Sequence, residues 1–147
     1  MHKLIFGALA AAAGLAMAAP AAAQDLPVKG GNYWEVAEIT VDDGHFGDYA
    51  DFLAATYRKT QEFARTHGWI KEYHILANVH KRANEPDLFL VTIMDHLASP
   101  AEDDAREKEL NAYLANTSRQ RDSESGARAK FRKLGGTTLL QELLFRR

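Results

Sequence analysis

The chain contains no cysteine. That excludes disulfides, thiolate metal sites, a cysteine nucleophile and a lipid anchor carried on cysteine. It also has no glycine-rich phosphate loop, no G-x-S-x-G elbow, no H-E-x-x-H helix and no internal repeat, so the common nucleotide, serine-hydrolase and zinc-protease signatures are absent. Charge of one sign is not in excess: 18 Lys and Arg face 20 Asp and Glu, for a net charge of -2. A chain so balanced has no general electrostatic attraction to nucleic acid or to an acidic membrane. A run long enough to span a bilayer is missing too. The longest apolar stretch, Leu4 to Ala19, covers about 16 residues where roughly 20 are needed.

That stretch has another use. Lys3 supplies a short basic start, the run follows, and Pro20 leads to Ala21, Ala22 and Ala23. This is the layout of a secretory signal with cleavage after Ala23, pointing to the periplasm or the medium. Cleavage removes only Lys3 among the charged residues, so the mature chain is one unit more negative. An exported protein without disulfides must be held by its core or by a partner subunit.

Residues 24–32 contain Pro27, Gly30 and Gly31 and are expected to form a flexible leader. A single domain over 33–147 follows. Tyr33 to Val41 is β-branched and aromatic, hence a strand. Phe46, Tyr49, Phe52, Leu53, Tyr57 and Phe63 recur at helical spacing and predict a helix over 45–67 stopped by Gly68. Ile70 to His96 predicts a hairpin turning at residues 82–86. If that turn sets a simple register, facing positions sum to about 168, which places His74 opposite Met94. Ser99, Pro100 and Glu102 spell the start of a second helix, ending near Asn116. Residues 117–125 lack apolar side chains and are expected to be a linker. A short basic helix over 127–134, with Phe131 and Leu134 inward, then precedes a strand over 137–145.

The order β-α-β-β-α-β is the split βαβ arrangement, an α+β fold with a four-stranded antiparallel sheet and both helices on one face. Alternation assigns Ala37, Ile39, Val41, Tyr73, Ile75, Ala77, Phe89, Val91, Ile93, Leu139, Leu143 and Phe145 to the helix-covered face. The other face receives Trp34, Val36, Glu38, Thr40, Glu72, His74, Leu76, Asn78, Leu90, Thr92, Met94, His96, Leu140, Glu142 and Leu144. It is too apolar to face water and too polar for a dry core. The simplest cover is a second copy of the same face, enclosing a pocket for a small apolar or aromatic molecule.

In this order, in the DDGHF opening and in the GWIKEYHIL and PDLFLVTIMD strands, the chain resembles the dimeric α/β-barrel proteins, ferredoxin-like chains that include antibiotic-biosynthesis-type monooxygenases, haem-degrading monooxygenases and the NIPSNAP group. The resemblance covers residues 33–146. It implies a sheet-to-sheet homodimer and admits cofactor-free oxidation, haem binding or no catalysis. The cofactor is left undetermined.

On this reading His74, Glu38 and Asn78 are the candidate catalytic residues, with His74 as base and Glu38 orienting it. Trp34, Thr92, Met94 and Glu142 are the candidate substrate-binding residues. His74, His96 and Glu72 offer nitrogen and oxygen ligands without a standard metal spacing. The basic series Arg119, Arg121, Arg128, Lys130, Arg132 and Lys133 could hold an anion, or form a solvated helix face. A haem- or metal-binding protein and a ligand-free structural dimer are the alternatives.

Overall fold

The computed structural model describes residues 26–147, and the expected signal segment lies outside them. The elements are β1 (Val28–Val41), α1 (Phe46–Phe52), a π-helical turn (Leu53–Tyr57), α2 (Arg58–Thr66), β2 (Glu72–Ala77), β3 (Leu88–Met94), α3 (Pro100–Leu114), α4 (Ser118–Arg128) and β4 (Arg132–Phe145). The strands form one antiparallel sheet in the order β2-β3-β1-β4. This is the ferredoxin-like α+β arrangement expected from the pattern. No helix among the described residues is long and apolar enough to cross a membrane.

The first helix covers the sheet through Tyr49, Leu53 and Tyr57, each four residues from the last. An α-helix turns once in 3.6 residues, so side chains four apart drift around its axis. The wider π turn from Leu53 to Tyr57 reverses that drift and returns Tyr57 to the buried stripe. The core lies beneath it, with Ile39, Tyr49, Leu53, Leu88 and Phe131 packed together and Leu90 at its margin. Gly68 (φ 71°) ends the helix as expected, and Trp69 donates to the Ala64 carbonyl at 2.9 Å. Phe63 stacks on Tyr113 at 4.2 Å and joins α2 to α3.

The start of α3 follows its sequence signal. Ser99 and Glu102 form a reciprocal capping box with Pro100 in the first turn. His96 joins it, with Nδ1 2.8 Å from Asp95 and Nε2 3.2 Å from Glu102. Hydrogen bonds from the Ser99 amide and hydroxyl, then from His96, hold the Glu102 carboxyl down at about 2. Asp95 first, then Glu102, raises His96 above its ordinary 6.5. The sign of each effect sets a window. Stability from Glu102 is present above its ordinary value of 4.5 and is lost as pH falls towards 2. Stability from His96 is present below 6.5 and is lost as pH rises through its raised value. We expect Ser99→Ala to cost about 1 kcal/mol in urea unfolding near pH 6. In Glu102→Gln, the NMR titration midpoint of His96 should fall back towards 6.5; an unmoved midpoint would remove Glu102 from this account.

Four sequence expectations need correction. Residues 28–31 belong to β1, because Val28, Lys29 and Gly30 pair with Phe145, Leu144 and Leu143. A Cβ at Gly30 would lie 2.5 Å from Gln141 Nε2, so glycine there lets Gln141 lie across the strand. Residues 118–128 form α4, started by a second capping box between Thr117 and Gln120. The expected basic helix over 127–134 is instead the end of α4 and the start of β4. Phe131 is buried as expected, but Leu134 is 62% exposed.

The fourth correction concerns register. Glu72 faces Ile93 and His74 faces Val91, not Met94. The connection spans residues 78–87 and closes where the Asn78 amide donates to the Asp87 carbonyl at 2.8 Å. The displacement is odd, so it exchanges the faces of β3. Leu88, Leu90, Thr92 and Met94 lie on the helix-covered face, and Phe89, Val91 and Ile93 on the open one.

Candidate functional site: the open face of the sheet

Register defines this face row by row. Across the order β2-β3-β1-β4, one row reads Glu72, Ile93, Trp34 and Leu140, and the next His74, Val91, Val36 and Thr138. A third contains Leu76, Phe89 and Glu38. The exchange on β3 makes the middle of the face apolar, with Val91 and Ile93 themselves buried. Leu76, Leu140 and Leu144 flank them at 50%, 52% and 40% exposure. Polar groups stand at the margins of this apolar band.

The candidate residues fall into three places. Trp34, Glu38, His74 and Glu142 share the open face. His74 and Glu38 are separated by the width of two inter-strand gaps, about 10 Å, and by one row. They therefore form no acid–base pair within one protomer. The near carboxylate for His74 is Glu72, at 3.5 Å with both side chains well exposed. An exposed pair of this kind contributes little. His74 also borders a cleft of about 380 Å³ on the outer edge of β2, with Glu62, Arg65, Glu72 and Tyr73. Glu38 lies against Gly135, where a Cβ would sit 2.8 Å from its own. Glycine in β4 makes that approach feasible.

Asn78 falls just beyond β2. Its amide donates to Glu85 Oε2 and to the Pro86 carbonyl, each at 3.2 Å, which ties the β2-β3 loop together. Thr92 and Met94 lie on the helix-covered face, the consequence of the register. The metal candidates are also dispersed: both ring nitrogens of His96 are engaged by Asp95 and Glu102, while His74 stands near Glu72. No group of three or more potential ligands among the described residues could hold a metal ion.

Beside Thr92 the structure adds a residue that periodicity marked only as core. The Tyr57 hydroxyl is buried, without a hydrogen bond of good geometry among the described residues. That burial pushes it up to about 12, with Thr92 opposing and Tyr49, Tyr73 and Glu35 adding to the rise. At neutral pH it is a protonated phenol, a donor and not a base. A small apolar hollow of about 260 Å³ opens nearby between α1 and β2, lined by Leu53, Ala54, Arg58, Tyr73 and Ile75 among others.

No protein-family model matches this chain, and no curated protein matches it. Among solved structures it is similar to a dimeric ferredoxin-like protein of unknown function from Thermobifida fusca. Identity is 16% and the TM-score 0.44, over 79% of this chain and 93% of that one.

Proposed function

We propose that this protein is an exported homodimer whose open sheet faces pack together and enclose a site for a small apolar or aromatic molecule. The observation that carries the reading is the composition of the open face after the register exchange. Trp34, Val36, Phe89, Val91, Ile93 and Leu140 form a continuous apolar band across three strands. Contiguous apolar surface of this kind on a monomer usually marks an interface or a ligand groove. Glu38, His74 and Glu142 at its margins would supply the few polar contacts that orient a ligand. The Ala-rich leader supports export, and the resemblance to the antibiotic-biosynthesis-monooxygenase and NIPSNAP-like barrels supports the sheet-to-sheet arrangement.

The geometry favours binding over acid–base catalysis by a single protomer, since His74 and Glu38 stand apart. β4 also leaves apolar surface that packing of the open faces would not cover. It is an edge strand, and Leu139, Leu143 and Phe145 on its other face are 49%, 65% and 82% exposed. Exposed apolar edges are what pairing or cover by another chain removes.

Native mass spectrometry of protein purified from its source tests the reading. A dimer carrying a small organic ligand is expected. A dimer that never retains one would favour a purely structural role, and a monomer at micromolar concentration would overturn the proposal.

A further inference from the structure

On the opposite side of the sheet, where α4 meets β4, the chain buries the Arg132 guanidinium without a carboxylate to neutralise it and sets the partly exposed Arg128 beside it. Arg132 opens β4 opposite Val41 and is 5% exposed. Its Nη2 donates to Ser125 Oγ at 2.8 Å, while its Nε is buried with no partner. Arg128, at the end of α4, lies over the Phe52 ring at 3.9 Å, and its Nε is likewise buried and unpartnered. None of the ion pairs among the described residues includes Arg128 or Arg132. Glu124 acts on Arg128 only at longer range. A buried charge left unpaired is costly, and removing such a group often stabilises a fold. Retaining Arg132 in this state, with a second guanidinium beside it, is accounted for by an anion that binds from the cleft.

The surroundings fit one. Arg132 lines an open cleft of about 760 Å³ together with Lys133, Ser123, Ser125 and Gly126. Asp122 is the single acidic side chain on its wall, so the cations outnumber the acids. The volume lies in the range of small-molecule sites, well above the needs of a bare ion. A guanidinium fork, an ammonium and a serine hydroxyl give more donors than the two oxygens of a carboxylate use, and they suit the three oxygens of a phosphate.

We infer that the cleft between α4 and β4 binds the phosphate group of a small organic phosphate, held by Arg132 and Lys133 with Arg128 reinforcing the field from behind. The cleft lies at the end of edge strand β4, which Arg132 reaches from the helix-covered side and Lys133, opposite Thr40, from the side of the open face.

Inorganic phosphate is the probe, compared with chloride and with acetate at matched ionic strength and pH, using purified protein. Phosphate should raise the melting temperature in a saturable way, with acetate weaker and chloride without specific effect. Arg132→Gln should weaken the apparent affinity at least tenfold and remove the thermal response. Lys133→Ala, at an exposed position, should weaken it severalfold and keeps the test valid if the Arg132 variant does not fold. Equal responses to the three anions, or a phosphate response unchanged in Lys133→Ala and Arg132→Gln, would overturn the assignment. A stronger response to acetate than to phosphate would overturn the assignment of phosphate.

Discussion

If the open faces pair as proposed, Leu76→Glu combined with Leu140→Glu is expected to convert the dimer into a folded monomer at micromolar concentration. Both side chains are about half exposed in the protomer, so each change should alter protomer stability by no more than about 0.5 kcal/mol. Between two sheets packed roughly 10 Å apart, the same carboxylates would be taken out of water beside Ile93, Val91 and Trp34. A combined cost of about 4 kcal/mol raises the dissociation constant roughly a thousandfold. Sedimentation velocity should show the monomer, and far-UV circular dichroism an unchanged fold. Val79→Glu, in the β2-β3 loop and 82% exposed, is the control and should remain dimeric. If the double variant sediments like the parent, the interface lies elsewhere on the molecule.

The largest effect on folding is expected from Ile39→Ala. Ile39 is 2% exposed near the end of β1 and packs in the cluster formed by Tyr49, Leu53, Leu88 and Phe131. Deleting a buried aliphatic side chain costs about 2–5 kcal/mol, and the cost rises with the cavity that remains. Two flanking aromatic rings cannot easily collapse into the space, which places this site in the upper half of that range. Seven large apolar side chains are buried among the described residues, a small core for a domain of this size. The loss would therefore be a large fraction of the roughly 5–15 kcal/mol typical of a domain. Urea unfolding of parent and variant at the same protein concentration should show a lower midpoint with an unchanged slope. A change below about 1 kcal/mol would show that Ile39 is not central to the core.

Local signals made much of this architecture legible. Ser99, Pro100 and Glu102 specify a helix start through contacts within one turn, and the structure forms them all. The stripe from Tyr49 onward and the stop at Gly68 were equally local, although Phe46, expected in that stripe, is 58% exposed. Thr117 and Gln120 carry the same capping signature, yet α4 lacks the apolar stripe by which helices are usually recognised. Its anchoring comes from polar contacts such as Arg121 to Asn111 and Ser118, and no periodicity encodes those.

The candidate site was legible only in part, because it depends on register. β3 is apolar on both faces, so its composition cannot say which face meets the helices. The ten-residue connection sets that choice through Asn78 and Asp87. Trp34, Glu38, His74 and Glu142 keep their place on the open face, while Thr92 and Met94 pass to the other. Tyr57 and Arg132 illustrate a different limit. A tyrosine on an apolar stripe and an arginine in a basic series look ordinary until burial removes their partners.

The face-to-face dimer is tested most directly through Trp34, one of two tryptophans in the chain. In Trp69→Phe it becomes the sole tryptophan and reports on the open face alone. Its emission should shift to the red, and its quenching by iodide should rise, over the same dilution range in which sedimentation shows the dimer dissociating. A dimer that dissociates with Trp34 emission and quenching unchanged, or a chain monomeric at every concentration, would contradict the account.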